Sequence, residues 1–495
     1  MGRQTCRVSS IQRSVTGRRR NAALAGDCAH ALGSGRDVVT DSPHGAPDEL
    51  ITPSETDTPF VRLSSGSALS LAAQVLGLAT SFIVGVVAAR TLGVAGKGML
   101  SVVMQTAGIL VMLLDLGIAT STIYFVSHGE LKPGAAAANS FLIAAAMAVL
   151  SAPALYLLLA SRFAVVHGVP KLAVAIAILV VPTSLLLAWT SGISVGLSDL
   201  RLPLRSGVAS SATTLLAIVG LAATGHANVG TIAAASVGGT VAGIVVIVWG
   251  LRNRLAPLRP DWVAARATSS FSVRVHMTNL AGFMLEKQDV LLLGWLAGAA
   301  AVGLYSVGVS FAELNWYIPS ALSTAIMARA SYGTESTGVD YVTRGTRVLV
   351  IIMGGTVGVS LIVVPLVIPL IYGHAFAPSM YAFFALLPGI VADGVARVLW
   401  TYQTIRERLY WRQALGGTAV NMVLVLLMVP RFGPVGAALA STLAYGGMAV
   451  YVIHRFRTDT GATYADVLLP RREDLDLIFA TARRMLGEAR GHAKA

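Results

Sequence analysis

Charged residues interrupt several long apolar runs of this chain, and their types and positions could support chemistry. The run from 271 to 297 contains four of them, and the others lie in separate runs; together they are Arg274, Glu286, Lys287, Asp289, Asp115, Glu313, Asp393 and Arg397. A charge at the centre of a hydrocarbon layer costs at least ~2.5 kcal/mol, so it normally faces a partner or a water-filled cavity. Four charges in one run exceed what a single locking pair requires. They predict the lining of a polar cavity.

Spacing assigns more specific roles to some of these residues. Glu286 and Asp289 are three residues apart and share one helix face, whereas Asp393 and Arg397 are four apart and can pair along a helix. For that second pair, locking of helices is favoured over ligand contact, and Asp393 and Asp115 are candidates for ion coupling or pairing. Arg90 ends the first apolar run. Its side chain either grips a substrate phosphate or extends to lipid headgroups.

Sequence motifs of enzymes are missing from the chain. It has no P-loop, HExxH, paired CxxC or GxSxG element, and GVAGKG at 93–98 lacks the spacing of a phosphate-binding loop. The two cysteines, Cys6 and Cys28, precede the apolar runs and provide neither a disulfide framework nor a thiolate metal site. We therefore predict a protein that is not an enzyme and has no catalytic residue, metal site or cofactor.

The composition of the chain indicates whether its apolar runs lie in a protein core or in a lipid bilayer. Hydrophobic residues make up 55% of the chain and charged residues 12%, and the mean hydropathy is +0.70. Soluble proteins average about 25% charged residues, so the chain is predicted to be an integral membrane protein. The net charge of +13 does not indicate a nucleic-acid partner, because most basic residues lie in short connections between apolar runs, as membrane topology requires.

Twelve apolar runs are long enough to cross about 30 Å of hydrocarbon as helices. They lie near 67–89, 99–126, 135–160, 171–195, 206–224, 229–250, 271–297, 302–328, 346–372, 377–402, 412–430 and 434–455. The predicted fold is an all-α polytopic membrane protein. Its twelve transmembrane helices would form two parallel-repeat, six-helix bundles around a central cavity.

Two glycine-rich corners are the basis for the predicted repeat. At an offset of 205 residues, Gly93 aligns with Gly298 and Gly98 with Gly303. Glycine suits such corners because it enters positive-φ backbone freely and allows close helix packing. Related glycine corners predict two halves in tandem. The predicted domains are an N-terminal bundle over 63–255 and a C-terminal bundle over 256–455.

The distribution of Lys and Arg predicts the orientation. Thirteen of them lie in one set of connections and five in the opposite set. The positive-inside rule places the first set and both termini in the cytoplasm, with the glycine corners outside. Residues 1–62 are predicted to be a disordered cytoplasmic tail, unless translation starts near Val38 or Val39.

Residues 456–495 are predicted to form a cytoplasmic tail with an amphipathic helix. After Pro470, one helical stripe holds the apolar residues Leu475, Ile478, Phe479, Ala482, Met485 and Leu486. This helix either lies on the inner leaflet, docks a partner or packs beneath the bundle.

The residues around the corners resemble a known family. AARTLGVAGKGMLSVV from Ala88, LLDLGIATSTIYFV from Leu113 and EKQDVLLLGWLAGAAAVGLYSVGVSF from Glu286 are similar to oligosaccharide flippases of the polysaccharide biosynthesis type. These flippases belong to the multidrug/oligosaccharidyl-lipid/polysaccharide exporter superfamily. The resemblance runs from about Leu63 to Arg455.

The resemblance implies a transporter in the inner, cytoplasmic membrane. It would move an undecaprenyl-pyrophosphate-linked oligosaccharide from the inner to the outer leaflet by alternating access. Membrane lipids and polysaccharide-assembly proteins are further candidate partners. The candidate cations are Arg90, Arg274, Lys287 and Arg397. The candidates for sugar hydrogen bonds, internal pairing or ion coupling are Glu286, Asp289, Glu313, Asp115 and Asp393. The mixed signs of these charges argue against a strongly cationic cavity.

Four alternatives remain from the sequence. A multidrug antiporter of the same superfamily would couple transport to protons or sodium through a carboxylate such as Asp115 or Glu313. A peptidoglycan-precursor flippase usually carries two further helices. A membrane-embedded glycosyltransferase would need a large outer loop, and every outer connection is short. A scaffold that recruits soluble partners through the C-terminal helix is the fourth.

Overall fold

The structure is a computed structural model that describes residues 65–330, 335–405, 411–480 and 483, and these residues form helices without β-strands. The helices are α1 (Ser65–Leu114), α2 (Ile118–Ser127), α3 (Pro133–Ala160), α4 (Lys171–Gly196), α5 (Arg201–Ala223), α6 (Val229–Leu251), α7 (Trp262–Glu313), α8 (Tyr317–Ala330), α9 (Glu335–Val367), α10 (Ser379–Ile405), α11 (Trp411–Thr460) and α12 (Tyr464–Leu468). A further helix, α13, covers 472–480. The predicted tail over 1–62 lies outside the described residues.

Nine helices within the described residues are long and apolar enough to cross a membrane, by length and composition. Three of them contain 39 to 49 residues, which is more than one crossing requires. Each of the three is interrupted by a glycine with non-helical backbone. The prediction of an all-α polytopic membrane protein is confirmed, and the three interrupted helices are consistent with twelve crossings.

The two predicted corners have nearly the same backbone conformation. Gly93 has φ 68° and ψ −173°, and Gly298 has φ 78° and ψ −178°. A residue with a side chain rarely adopts such a conformation, so glycine is required at both positions. We call the end of the protein that carries these glycines the corner end, and the opposite end the tail end.

The corners also pack against each other. A Cβ atom on Gly98 would lie 1.8 Å from the carbonyl oxygen of Ala299, and one on Gly303 would lie 2.1 Å from that of Val94. Val94 and Ala299 are themselves related by the 205-residue offset, so the contact is reciprocal. Backbone therefore touches backbone where α1 meets α7, as a duplicated arrangement with the corners on its axis requires.

Two helices that were predicted to be continuous are interrupted in the structure. The run over 99–126 breaks between α1 and α2, where Leu116 (φ 50°) and Gly117 (φ 70°) are left-handed and the Gly117 N–H donates to the Asp115 carboxylate at 3.1 Å. The run over 302–328 breaks after Glu313 in a short 3₁₀ turn over 314–316. The hydropathy pattern does not reveal these breaks because apolar residues continue across them.

The C-terminal segment is fixed to α9 by a buried ion pair. Arg347 Nε donates to Asp474 Oδ2 at 2.7 Å, and the Nη1 group of the same arginine donates to the Asp466 carbonyl at 2.9 Å. Both side chains of the pair are buried. Of the three arrangements predicted for this helix, packing against the transmembrane helices is present at Asp474, whereas Leu475 and Phe479 remain exposed.

Neutralising Asp474 is expected to release this segment. Burial alone would raise the pKa of Asp474, but hydrogen bonds from Arg347 and from the Arg471 N–H, and the charges of Arg347 and Arg344, hold it below its ordinary value. Because the folded-state pKa is lower than the unfolded value near 4, the ionised contact adds its full stability at and above that unfolded value. This stability is lost as the pH falls through the folded-state pKa. The anchoring should therefore be constant from neutral pH down to about 5 and be lost in acid.

Limited trypsin digestion at the exposed residues Arg471 and Arg472 measures this release. Removing one member of a buried pair costs about 3 kcal/mol, so Asp474→Asn should speed cleavage by about 100-fold at neutral pH. Asp476→Asn changes an exposed carboxylate on the same helix and should leave the rate unchanged. Equal rates for the two variants would show that the Arg347 contact does not hold the segment.

Candidate functional site: buried ion pairs around α7

Four consecutive polar residues, Glu286 to Asp289, form one turn in the middle of the otherwise apolar part of α7. Successive residues of a helix point about 100° apart, so this turn directs polar groups to every side of α7. The helix packs against α1, α10 and α11. Each polar side chain therefore needs a partner, and the structure provides one for each on α10, on α11 or on the second part of α7 itself.

Arg397 on α10 joins two carboxylates. Its Nε donates to Asp393 Oδ2 at 2.6 Å, and its Nη2 donates to Glu286 Oε1 on α7. The guanidinium carbon also lies 4.7 Å from the centre of the Trp316 ring, which favours a cation. The predicted pairing of Asp393 with Arg397 is confirmed. Glu286 is an additional partner that connects α10 to α7.

Lys287 forms the second ion pair of this turn. Its Nζ lies 2.7 Å from Glu313 Oε1 near the end of the second part of α7. The two side chains retain 23% and 24% of their accessible surface. This pair is therefore only partly buried.

Asp289 is the most enclosed acid of the turn and lies within a network of neutral donors. It accepts hydrogen bonds from the hydroxyl groups of Tyr305 and, at 3.1 Å, Ser441. Asn421 donates to Ser441 at 3.1 Å, and Gln288 donates to Asn421 at 3.2 Å. The network connects both parts of α7 with both parts of α11, and no cation participates in the contacts described.

The charges of the cluster do not cancel. With all groups ionised, Lys287 and Arg397 face four acids, namely Glu286, Asp289, Glu313 and Asp393. Among the described side chains, the cluster is thus acidic by two charges. This acidic excess agrees with the argument from the sequence that mixed charges disfavour a strongly cationic cavity.

Asp115 lies apart from the cluster, at the break between α1 and α2. Its Oδ1 accepts a hydrogen bond from Trp189 Nε1 on α4 at 2.7 Å, and its Oδ2 lies 4.0 Å from His276 Nδ1 on α7. His276 is 2% exposed, and its Nε2 has no hydrogen-bond partner. The pair bridges the two predicted bundles at the tail end.

Arg90 contacts protein carbonyl groups at the corner end. Its Nε and Nη2 donate to the carbonyl oxygens of Ile371 at 2.7 Å and Leu370 at 2.6 Å. These oxygens belong to the π-helical turn Ile368–Tyr372 that ends α9, where backbone acceptors lack helical partners. In this arrangement Arg90 joins the corner of α1, just before Gly93, to the end of α9. This contact tests neither predicted role of Arg90, phosphate binding or extension to headgroups.

Five of the predicted substrate-binding residues therefore come together: Glu286, Lys287, Asp289, Glu313 and Arg397. Asp393 joins them, whereas Asp115 and Arg90 lie elsewhere. The side chain of Arg274 lies outside the described residues. Their role in binding stays a prediction.

Sequence reasoning missed the uncharged members of the cluster. Tyr305, Asn421 and Ser441 are all buried, and only Asn421 had a usable signal, as an amide within an apolar run. Tyrosine and serine are frequent in transmembrane helices, so their contact with Asp289 depends on tertiary packing. Trp189 gave no signal for the same reason.

Comparison with known proteins agrees with this architecture. Residues 63–332 match the family described as "Polysaccharide biosynthesis protein". The probable low-salt glycan biosynthesis flippase Agl15 of Haloferax volcanii is 21% identical over 219 residues, which are 43% of this chain and 46% of that protein. The match thus spans about half the length of that curated relative.

Solved structures share the fold. An inward-facing multidrug resistance MATE family transporter of the MOP superfamily aligns with a TM-score of 0.63 at 16% identity, covering 78% of this chain and 96% of that one. The lipid II flippase MurJ in an inward closed conformation aligns with a TM-score of 0.59 at 14% identity, covering 79% and 87%. At these identities the likeness concerns the fold alone. Because the stretch that matches the family is more than half of the sequence, the chain belongs to the polysaccharide biosynthesis protein family.

Proposed function

We propose that this protein is a flippase that moves a lipid-linked oligosaccharide from the inner to the outer leaflet of the cytoplasmic membrane by alternating access. The observation that carries the proposal is the polar turn of α7 with its partners, set among apolar helices in a member of a polysaccharide biosynthesis family. A sugar headgroup cannot cross hydrocarbon unaided. A polar site within the helices gives it a path, and no chemical step is needed.

The paired charges suggest how a headgroup binds. Lys287 and Arg397 each hold a carboxylate that a substrate phosphate could replace, since charge-assisted bonds to phosphate and carboxylate are similar in strength. The released Glu313 or Glu286 could then accept hydrogen bonds from sugar hydroxyls. The acidic excess of the cluster favours many hydroxyl contacts over a site for pyrophosphate alone. A lipid carrier of the undecaprenyl-pyrophosphate type fits these contacts.

Alternating access requires contacts that close one end at a time. At the corner end, the Gly98–Ala299 and Arg90–Ile371 contacts join α1 to α7 and to the end of α9. Opening toward the outer leaflet would break them. The Lys/Arg excess in the tail-end connections favours a cytoplasmic tail end and cytoplasmic termini. A gradient of lipid-linked substrate, or the membrane potential, would drive net movement.

A multidrug antiporter is the second candidate function, favoured by the fold shared with a multidrug transporter. It would use the same acidic cluster to bind a cationic drug and a coupling ion. The peptidoglycan-precursor flippase is a third candidate, favoured by the fold shared with MurJ. Since the same cluster on α7 would serve all three proposed functions, the location of the site does not distinguish them.

The lipid pools of a strain that lacks the protein distinguish these functions. A flippase predicts accumulation of the lipid-linked oligosaccharide on the inner leaflet, and restoration by the intact protein. Lys287→Ala and Arg274→Ala should restore little of the transport although they reach the membrane. Lys171→Ala, at an exposed helix start, should restore it fully. Unchanged lipid pools with altered drug resistance would support the antiporter instead, and accumulation of the peptidoglycan precursor would support the third function.

A further inference from the structure

We propose that a groove between α3 and α6 binds one anionic phospholipid at the tail end, with an acyl chain between the helices and the phosphate at Arg252. This α3–α6 groove has a volume of about 360 Å³, which is typical of small-ligand sites. Its lining residues are Phe141, Ile244, Val245, Val248, Trp249 and Arg252. The inference goes beyond the proposed transport function, and only the choice of the cytoplasmic leaflet rests on the orientation proposed above.

Regular helices form the walls of the α3–α6 groove. Ile244, Val248 and Arg252 follow one another at intervals of four residues, which places them on one side of α6. Phe141 lines the groove from α3, and α4 packs against both helices. Ile247, which α6 turns away from the groove, is fully buried. Because its walls are packed helices, the groove is formed before any ligand binds.

The α3–α6 groove lies within the tail-end half of the membrane. α6 covers 23 residues from Val229 to Leu251, and at 1.5 Å per residue this is about 34 Å, enough for a complete crossing. Arg252 follows the last residue of the helix and therefore lies at the tail-end boundary. Ile244 precedes Arg252 by eight residues, which places it about 12 Å deeper. That depth fits one leaflet, which has about 15 Å of hydrocarbon.

The apolar part of the lining indicates an acyl chain. Apart from Arg252, every side chain that lines the groove is apolar. Trp249 and Val245 are 68% and 57% exposed, so the surface of α6 here is left for contact with another molecule. A sugar or a peptide bound there would leave hydrogen-bonding groups without partners, which is unfavourable. A hydrocarbon chain has no such groups.

Arg252 indicates the headgroup. Its guanidinium carbon lies 4.8 Å from the centre of the Trp249 ring, and its Nη1 donates to the Trp249 carbonyl at 3.0 Å. These contacts hold the guanidinium at the mouth of the groove. Within the part of the chain that the structure describes, no carboxylate pairs with it. Its remaining N–H groups suit a phosphate, and basic pockets between transmembrane helices are typical sites for anionic headgroups.

Photolabelling of the full-length protein in phosphatidylcholine nanodiscs tests the proposal. The two probes are phosphatidylglycerol and phosphatidylcholine with the same diazirine-bearing acyl chain, so they differ only in the headgroup. Mass spectrometry of the labelled peptides locates the chain. We expect the phosphatidylglycerol probe to label the segments around Phe141 and Val245 about fivefold more than the phosphatidylcholine probe, which is the effect of one interfacial arginine.

Two variants separate the headgroup contact from the chain contact. Arg252→Gln should bring the ratio of the two probes at these segments close to one. Arg254→Gln is the matched control, because it removes the same charge from an exposed arginine at the same end that does not line the groove. It should keep the fivefold ratio. Val245→Trp fills the groove and should reduce labelling around Phe141 by both probes.

Unaltered gel-filtration profiles would show that the variants fold. If Val245→Trp does not fold, Arg252→Gln decides, since its side chain is exposed. Equal labelling by the two probes in the parent protein, or a fivefold ratio that persists in Arg252→Gln, overturns the proposal. Removal of most of the label by an equal amount of undecaprenyl phosphate would overturn it as well, because the groove would then hold the carrier lipid. Failure of the parent protein to flip lipid-linked oligosaccharide would overturn the proposed function and leave the labelling result standing.

Discussion

Replacing Gly98 by alanine is expected to force α1 and α7 apart at the point where their backbones touch. The new Cβ would lie 1.8 Å from the Ala299 carbonyl oxygen and 2.7 Å from its carbon. Both atoms are backbone, so no side-chain rotation relieves the clash. The two helices must separate, and overpacking of this kind costs about 1–3 kcal/mol or more. The detergent-solubilised variant should unfold at a lower temperature than the parent protein in fluorescence-detected gel filtration.

The reciprocal position allows a stricter test of the same contact. Gly303→Ala places a Cβ 2.1 Å from the Val94 carbonyl oxygen and should be similarly destabilising. Since both substitutions separate the same two segments, their effects should be clearly less than additive when combined. Additive losses would indicate that the two glycines serve independent contacts.

Gly108→Ala is the matched control on the same helix. A Cβ at Gly108 meets nothing within 4 Å, and alanine is the better helix former by up to about 1 kcal/mol. The control should therefore be at least as stable as the parent protein. A Gly98→Ala protein that is as stable as the Gly108→Ala protein would contradict the close packing of the corners.

The corners also show how far the sequence alone can lead. Glycine spacing predicted the reversals at Gly93 and Gly298, because their conformation is a local property that only glycine readily adopts. The same spacing did not predict that Gly98 lies against Ala299. That contact joins segments some 200 residues apart and depends on how the helices pack.

The candidate site also has one part that the sequence predicted and one part that it did not. Charges within apolar runs identified Glu286, Lys287, Glu313 and Arg397, since a charge in hydrocarbon must find a partner. Their pairing across helices was not predictable, because each acid had several candidate cations, namely Arg90, Arg274, Lys287 and Arg397. Glu286 pairs with Arg397 and Lys287 pairs with Glu313 because these two adjacent residues of α7 point in different directions. Which group each one meets depends on how α7 is rotated about its axis.

Removing the charge of Arg397 is expected to have the largest effect within the site. Arg397→Met keeps much of the side-chain volume but leaves Glu286 and Asp393 without their shared cation. An uncompensated buried charge costs about 3–5 kcal/mol. The thermal midpoint in detergent should fall markedly, and transport of the lipid-linked oligosaccharide should be lost. Arg162→Met removes an arginine that also lies over an aromatic ring, at 4.8 Å from Phe163, and should change neither property.

Neutralising all three groups separates the structural part of this effect from the functional part. The variant with Glu286→Gln, Asp393→Asn and Arg397→Met leaves none of these three groups as an unpaired charge, and replacing a whole buried ion cluster by neutral groups is often close to neutral in stability. We therefore expect its thermal midpoint to recover most of what Arg397→Met loses, while transport stays absent because no cation remains there to exchange a carboxylate for the substrate phosphate. If transport recovered together with stability, Arg397 would be a link between α7 and α10 only, and the binding role would rest on Lys287. If neither recovered, the fold would depend on the hydrogen-bond geometry of these groups more than on their charge balance.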